Sequence, residues 1–376
     1  SIGYVLDEGM SVVPGSAFID GGSEHTVTVA SGDSSVVYFD LGADGEGVVE
    51  LTLQIESPIL KEKIIETLKI SKTYTYETVT MIGTVGADDK KSEEEFVIPD
   101  FAKDGQGSLK FTLDATRLGM LGTGVNYLFR YPYGCLEQQS SRILPLIIFE
   151  NYIDVFGLDS EVNNPSKLVK SYFKQWAKIQ HNDGGFPYWK DSPNSSFYVS
   201  LRIAHICAVA KQHGYKDSEI KVDVAELTRY ISRSLSSKSY FSKYEKAYAA
   251  YVLSMIEDNA ATTAANRLLE ELYADKNKET LNNLSYMGIA YNNLGNSEKA
   301  NEIAALVRQY VQISERSVSI LKKYTRNIWD CFESETEQLS TMLQLLVTLN
   351  PDDHIVDKLI FTLMQKQSQG YWTNTA

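Results

Sequence analysis

Cysteine is scarce in this chain: 376 residues carry three, Cys135, Cys207 and Cys331. An odd, sparse set cannot form a disulfide framework, and no CxxC pair suggests zinc. Apolar runs of the roughly 20 residues that span a bilayer are missing, and no secretory apolar segment opens the chain. A basic excess is missing too, since 36 Lys and Arg face 49 Asp and Glu for a net charge of −13. That balance argues against a nucleic-acid grip and describes an acidic, solvated surface. The chain starts at Ser1 without an initiator Met and stops in "GYWTNTA", so it reads as a piece of a longer protein.

What is present is ordinary globular material: 43% hydrophobic, 11% aromatic and 23% charged residues. The length suffices for two or three domains with sizeable cores. From residue 1 to about 118 the pattern alternates with period two and is punctuated by Gly, Asp and Ser. "HTVTVASGDSSVVYFDLGADGEGVVELTLQIES" offers three strands, continued by "KIIETLKISKTYTYETVTMIGTV", "EEEFVIP" and "GSLKFTLDA". An all-β, sandwich-like segment is expected here, with a break near Pro58. The charge run "DDKKSEEE" reads as a solvated hairpin tip.

From about 122 the spacing turns helical. Segments 136–156, 166–180, 196–213, 217–236, 243–256, 260–274, 280–294, 297–313, 334–349 and 353–368 carry apolar residues at three- and four-residue steps. Start signals stand at Asn164 with Pro165, Asn194 with Ser195, Ser297 after Gly295, and Pro351 with Asp352. Two loops resemble each other, "KIQHNDGGFPYW" and "QKQSQGYWTNTA", each a Gln-bearing helix end followed by Gly and an aromatic pair ending in Trp. Helical hairpins repeating along or around an axis would produce this, either as an open solenoid or as a closed α/α toroid. "LSYMGIAYNNLGNSEKANEIA" looks like one tetratricopeptide unit, but no 34-residue repeat runs through the other helices.

The stretch "YPYGCLEQQSSR" sets Cys135 and Gln138 three apart at the front of an apolar helix. Residues three apart share a helix face, so thiol and carboxamide can meet. Attack of the thiol on the amide carbonyl with loss of ammonia would close an internal thioester. A helix N-terminus would stabilise charge on the departing sulfur, and Tyr131 and Tyr133, on a turn with Pro132, would exclude water. The plain alternative is packing, since free cysteine is among the most buried residue types and Glu137 and Gln138 suit a first turn. Spacing alone leaves both open.

The whole string, Tyr131, Pro132, Tyr133, Gly134, Cys135, Leu136, Glu137 and Gln138, closely resembles the thioester signature of bacterial members of the alpha-2-macroglobulin family. "GVNYLFRYPYGCLEQQSSRILPLI" and "NDGGFPYWKDSPNSSFYVSLRIAHI" resemble that family too. The likeness covers about 36–376 and is strongest from 118 to 215. It implies that Cys135 and Gln138 form the thioester, that Tyr131 shields it, and that no cofactor or metal takes part. It implies a multidomain fold: a macroglobulin-type β-sandwich piece at 1–57, β strands of a CUB-like domain or linker at 58–118, and an α/α-toroid thioester-containing domain at 119–376. The implied function is protease inhibition by acylation of target lysines, in a monomeric protein of the periplasm, cell envelope or extracellular space. No bait region is identifiable.

The sequence also departs from the family pattern. In the complement branch a histidine on a later helix takes the acyl group first, whereas the corresponding stretch "SYFSKYEKAYAAYVL" has none, so direct attack by amines is expected. His205, on an apolar helix, reads as a satisfied core histidine. Cys207 and Cys331 read as packing, and Trp189 and Trp372 as end plugs whose indole N–H groups find backbone partners. Two competing functions remain. An α/α-toroid glycosidase would need paired carboxylates, for which Asp183, Asp191 and Asp330 are loop candidates without a telling interval. A helical scaffold or adhesin would bind envelope partners through its surface.

Overall fold

In the computed structural model the described residues are 2–7, 18–20, 24–36, 38, 40–43, 45–71, 85, 91, 93, 95, 97, 108–109, 111, 113, 121–130, 134–153, 156, 164–237, 241–321, 334–367 and 372. Two compact units result, Ser1–Glu77 and Thr78–Ala376.

The first unit is β-structure. Strands β1 (Ile2–Asp7), β3 (Glu24–Val27), β5 (Gly47–Glu56) and β6 (Lys61–Ile70) form an antiparallel sheet in the order β3-β1-β5-β6, while β2 (Phe18–Asp20) pairs with β4 (Asp40–Gly42). In "GVVELTLQIE" the buried residues of β5 are Val49 and Thr52, which, three apart, point to opposite faces of the sheet. Strands β5 and β6 pair along their whole length, from Gly47 with Ile70 to Glu56 with Lys61. Residues 57–60, around the break that the sequence suggests near Pro58, form their turn. Pro58 presets the backbone there, Ser57 N–H donates to the Leu60 carbonyl at 2.7 Å, and Ser57 Oγ accepts from Leu60 N–H at 2.9 Å. The strands expected at "EEEFVIP" and "GSLKFTLDA" lie largely outside the described residues.

Among the described residues, the regular structure of the second unit is helical apart from the short hairpin β7 (Val311–Ile313) and β8 (Val318–Ile320) and a single bridge between Phe186 and Ser196. After α1 (Gly122–Arg130), helices α2 (Leu136–Ile148), α4 (Phe197–Gln212), α7 (Lys243–Ser254), α9 (Leu281–Asn293) and α11 (Glu335–Leu349) pack side by side in that order. Behind them stand α3 (Pro165–Ile179) on α2, α6 (Val224–Ser236) on α4, α8 (Asn259–Ala274) on α7, α10 (Ser297–Arg308) on α9 and α12 (Val356–Gln365) on α11. Each back helix returns the chain, so the front row grows by one helix per hairpin. Composition sorts the rows. α4, α7 and α9 bury most of their residues, whereas α3, α6 and α10 bury a single apolar stripe and present a polar face.

Several boundaries differ from expectation for local reasons. The segment expected at 217–236 is two helices, because Lys221 adopts a left-handed φ of 61° after α5 (Asp217–Ile220) and the Asp223 carboxylate caps α6 through Glu226 N–H. The run expected at 297–313 ends at Arg308 and passes into β7. Helix α4 is capped by Ser196 rather than Asn194, α10 by Asn296 ahead of Ser297, and α12 starts only at Val356. Asn164 caps α3 as expected, its Oδ1 accepting from Lys167 N–H at 2.8 Å.

Candidate thioester site

Cys135 is the N-cap of α2, with extended backbone angles (φ −63°, ψ 161°) and 1% exposure. Its sulfur faces the N–H groups of Gln138 and Glu137, and the Gln138 carboxamide oxygen accepts from Cys135 N–H at 3.3 Å. This is a capping box with a thiol in the hydroxyl's place. It brings the two side chains named by the sequence to one helix end. Gln138 is half-buried, Gly134 exposed, and Leu136 and Glu137 buried. Tyr131, Pro132 and Tyr133 lie outside the described residues.

The electrostatics at the sulfur oppose one another. Burial raises the Cys135 pKa above the ordinary thiol value and the Glu137 charge adds to that, while hydrogen bonds from the Gln138 and Glu137 N–H groups and from the Tyr188 hydroxyl lower it. Burial is the largest of these effects, so the thiol stays protonated to higher pH than an ordinary cysteine.

A second layer fixes the helix start. Leu136 N–H donates to the Tyr188 carbonyl at 3.1 Å, Gln139 Nε2 to the Gly134 carbonyl at 2.7 Å, and Trp176 Nε1 to Gln139 Oε1 at 2.9 Å. From α4, Arg202 Nη2 donates to Ser141 Oγ at 2.9 Å, and Ser141 Oγ to Glu137 Oε1 at 3.0 Å. The buried Glu137 carboxylate thus accepts from a hydroxyl that is itself held by the half-buried Arg202 guanidinium, as a buried charge requires. Tyr188, Trp176 and Arg202 are not apparent from the motif. Arg202 was signalled by being the one full charge in the apolar run "FYVSLRIAHICAVA", and Tyr188 by its place in the "GGFPYW" loop.

The remaining candidates resolve individually. His205 Nδ1 and Nε2 meet the Tyr248 and Tyr251 hydroxyls at 2.9 and 3.3 Å, and burial, with Arg202 nearby, lowers its pKa to about 3. It is a neutral core histidine. Cys207 is buried, its thiol pushed up to about 12 by desolvation. Asp183 is occupied within its turn, accepting from Gly185 N–H at 2.9 Å and Ser195 Oγ at 2.8 Å. Asp330 and Cys331 lie outside the described residues. Trp372 Nε1 donates to the Leu363 carbonyl at 3.0 Å as expected, but Trp189 is 54% exposed rather than a buried plug. Among the described residues no cluster of His, Cys, Asp and Glu suits a metal ion, and no helix is long and apolar enough to cross a membrane.

The chain has relatives of similar sequence and of similar fold. No protein-family model matches the chain. Its sequence is 23% identical over 276 residues to an alpha-2-macroglobulin of Rickettsia conorii, covering 70% of this chain and 14% of that protein. Its fold matches native Escherichia coli alpha-2-macroglobulin from domain MG7 to the C-terminus with a TM-score of 0.54 at 19% identity, over 100% of this chain and 58% of that one. Salmonella alpha-2-macroglobulin reacted with methylamine matches with a TM-score of 0.52 at 16% identity, over 97% of this chain and 24% of that one. The resemblance to the bacterial alpha-2-macroglobulins is therefore present in both sequence and fold, and this chain spans a small part of such a protein's length.

Proposed function

We propose that this chain is the part of a macroglobulin-type protease trap that carries an internal thioester between Cys135 Sγ and the Gln138 side-chain carbonyl. The observation that carries the reading is the capping box itself, which holds a buried thiol and a carboxamide at one helix N-terminus inside "YPYGCLEQ". The Cys135 sulfur bonds to the Gln138 carbonyl carbon as ammonia leaves. Later a lysine amine of an attacking protease takes the acyl group and Cys135 departs as the thiolate. Each molecule reacts once, which makes it an inhibitor rather than an enzyme. No histidine relay is needed, and the neutral, enclosed state of His205 accords with direct attack by amines.

The two helix rows support reading 119–376 as an α/α-toroid thioester domain. We read the strands before it as macroglobulin-type sandwich material at 1–57 and CUB-like or linker strands at 58–118, noting that the β5–β6 hairpin bridges residue 58. Gly134, Leu136 and Glu137 complete the motif, with Tyr131, Pro132 and Tyr133 as its shield. The parent protein is proposed to be monomeric and to act in the periplasm, cell envelope or extracellular space on proteases.

Intact mass under denaturing, non-reducing conditions tests the reading. A mass one ammonia below the sequence value, rising on methylamine addition with release of one thiol, is expected, and Cys135→Ala should abolish both changes. A wild-type mass equal to the sequence value in freshly isolated full-length protein, with no methylamine adduct, would reject it. Unchanged partner binding by Cys135→Ala would favour a scaffold.

A further inference from the structure

The first turn of α2 is tied to α4 through two serine hydroxyls. Arg202 Nη2 donates to Ser141 Oγ at 2.9 Å, and Arg202 Nε makes a longer bond to Ser140 Oγ at 3.4 Å. Ser141 Oγ in turn donates to Glu137 Oε1 at 3.0 Å, and Ser140 Oγ to the Glu137 carbonyl. Each serine thus gives its single proton to Glu137 and its lone pair to the guanidinium. Glu137, Ser140 and Ser141 are all buried, so bulk water does not stand in for any of them. Guanidinium and carboxylate are joined through a hydroxyl, and each charge is felt by the other.

Glu137 stands two residues past the Cys135 cap, in the same turn. Breaking a carbon–sulfur bond at Cys135 places negative charge on a sulfur that is 1% exposed, where a second negative charge nearby is poorly screened. The serine that holds the Glu137 carboxylate lies one turn farther from the cap than Glu137 itself.

We propose that Arg202 is a positioning residue of the thioester site, acting through Ser141 to hold and offset the Glu137 carboxylate, so that this carboxylate does not repel the Cys135 thiolate as it leaves. In the acylation step an amine nitrogen bonds to the Gln138 carbonyl carbon and the carbon–sulfur bond breaks, its electron pair leaving on sulfur. The proton lost by the amine passes through solvent to that sulfur, so amide and thiol are the products, and Glu137, Ser141 and Arg202 end unchanged. The inference rests on the thioester reading above. It differs from a simple pin between α2 and α4 in one respect: the effect of Arg202 on the sulfur runs through the charge of Glu137.

The test uses the whole chain and the variants Arg202→Met, Arg202→Lys, Ser141→Ala and Glu137→Gln, with Arg202→Met also combined with Glu137→Gln. Ser141→Ala keeps both charges and puts a strong helix former inside α2. At equal thioester content by intact mass, Arg202→Met and Ser141→Ala should take up methylamine about ten-fold more slowly than wild type, the order of one lost hydrogen bond to a charged group. Arg202→Lys, which keeps the charge, should recover part of the rate. The double variant should react within about three-fold of Glu137→Gln alone, because the two residues act as one unit. Unslowed single variants, or an undiminished loss in the double variant, overturn the proposal.

A second measurement needs no thioester. In fully reacted protein, alkylation of Cys135 by iodoacetamide is followed by peptide mass, so that Cys207 and Cys331 do not contribute. Its pH midpoint should rise in Arg202→Met and Ser141→Ala and fall back when Glu137→Gln is added. Burial slows alkylation at every pH alike and leaves the midpoint alone. An unmoved midpoint would leave Arg202 a structural pin and overturn the assignment. Wild type without a thioester would reject the earlier reading alone, and the midpoint would still decide the role of Arg202.

Discussion

Gly184 and Gly214 share a backbone conformation, φ of 88° at each, and differ in what surrounds them. A methyl group on Gly214 would meet nothing within 4 Å, while one on Gly184 would lie 2.3 Å from the Glu226 carbonyl oxygen and 2.7 Å from its carbon. Gly214→Ala therefore bears only the left-handed backbone cost of about 1–2 kcal/mol, reduced by the stiffer unfolded chain. Gly184→Ala bears the same cost and must also push the Asp183–Gly185 turn away from α6. An overpacked contact with backbone adds about 1–3 kcal/mol. Urea unfolding followed by circular dichroism should thus show Gly184→Ala less stable than Gly214→Ala by about that difference. Because the turn leads to Tyr188, which accepts from Leu136 N–H, Gly184→Ala should also alter methylamine uptake while Gly214→Ala leaves it unchanged. Equal stabilities within about 0.5 kcal/mol, or a costlier Gly214→Ala, would refute the reasoning that the Glu226 backbone leaves no room for a side chain at Gly184.

Other expectations concern the buried polar groups and caps. His205 is held neutral down to a pKa of about 3, so between that value and the ordinary pKa near 6.5 the unfolded chain binds a proton the folded chain refuses. Stability should rise with pH across this window, by up to about 1.4 kcal/mol per pH unit from this group, and His205→Gln should flatten the urea-derived slope between pH 4 and 6. Glu337 has its pKa raised, burial being the main cause, and its Oε2 is buried without a hydrogen-bond partner. A raised carboxylate pKa means stability lost as pH climbs, so Glu337→Gln should gain on wild type above the ordinary carboxylate range, read from paired unfolding curves at pH 4 and 7. Asp258 caps α8 through Ala260 and Ala261 N–H, each at 2.9 Å. Asp258→Ala should cost about 1 kcal/mol in the same assay.

Much of the helical unit was readable from apolar spacing, because a helix such as α3, α6 or α10 that buries one stripe repeats near 3.6 residues. The misses were termini. Choices between adjacent polar residues, Asn194 against Ser196 or Ser297 against Asn296, turn on which side chain reaches the free N–H groups, and periodicity does not encode that. The split between α5 and α6 depended on the left-handed backbone of Lys221, unsignalled by a glycine. At the site, Cys135 and Gln138 were legible because their spacing is local. Tyr188, Trp176 and Arg202 were not, since each acts across 37 residues or more of chain and only packing joins them to α2. Trp189 shows the limit of analogy between loops: its likeness to the Trp372 loop gave no information about exposure.

A row of hairpins that touch only their neighbours would be expected to fray hairpin by hairpin, each with its own stability. The front-row helices here share more than adjacency. Glu337 on α11 accepts from Tyr244 on α7 at 2.8 Å, passing over α9, while Asn282 and Tyr286 of α9 donate to the same oxygen at 3.1 and 3.3 Å. Gln344 of α11 reaches Tyr251 of α7 at 2.7 Å, and Tyr251 and Tyr248 in turn hold His205 of α4. Opening either flank exposes polar groups that the other flank needs satisfied, which couples repeats that are not adjacent. The slowest amide protons of α4, α7, α9 and α11 should therefore exchange as one group, as in a single cooperative domain.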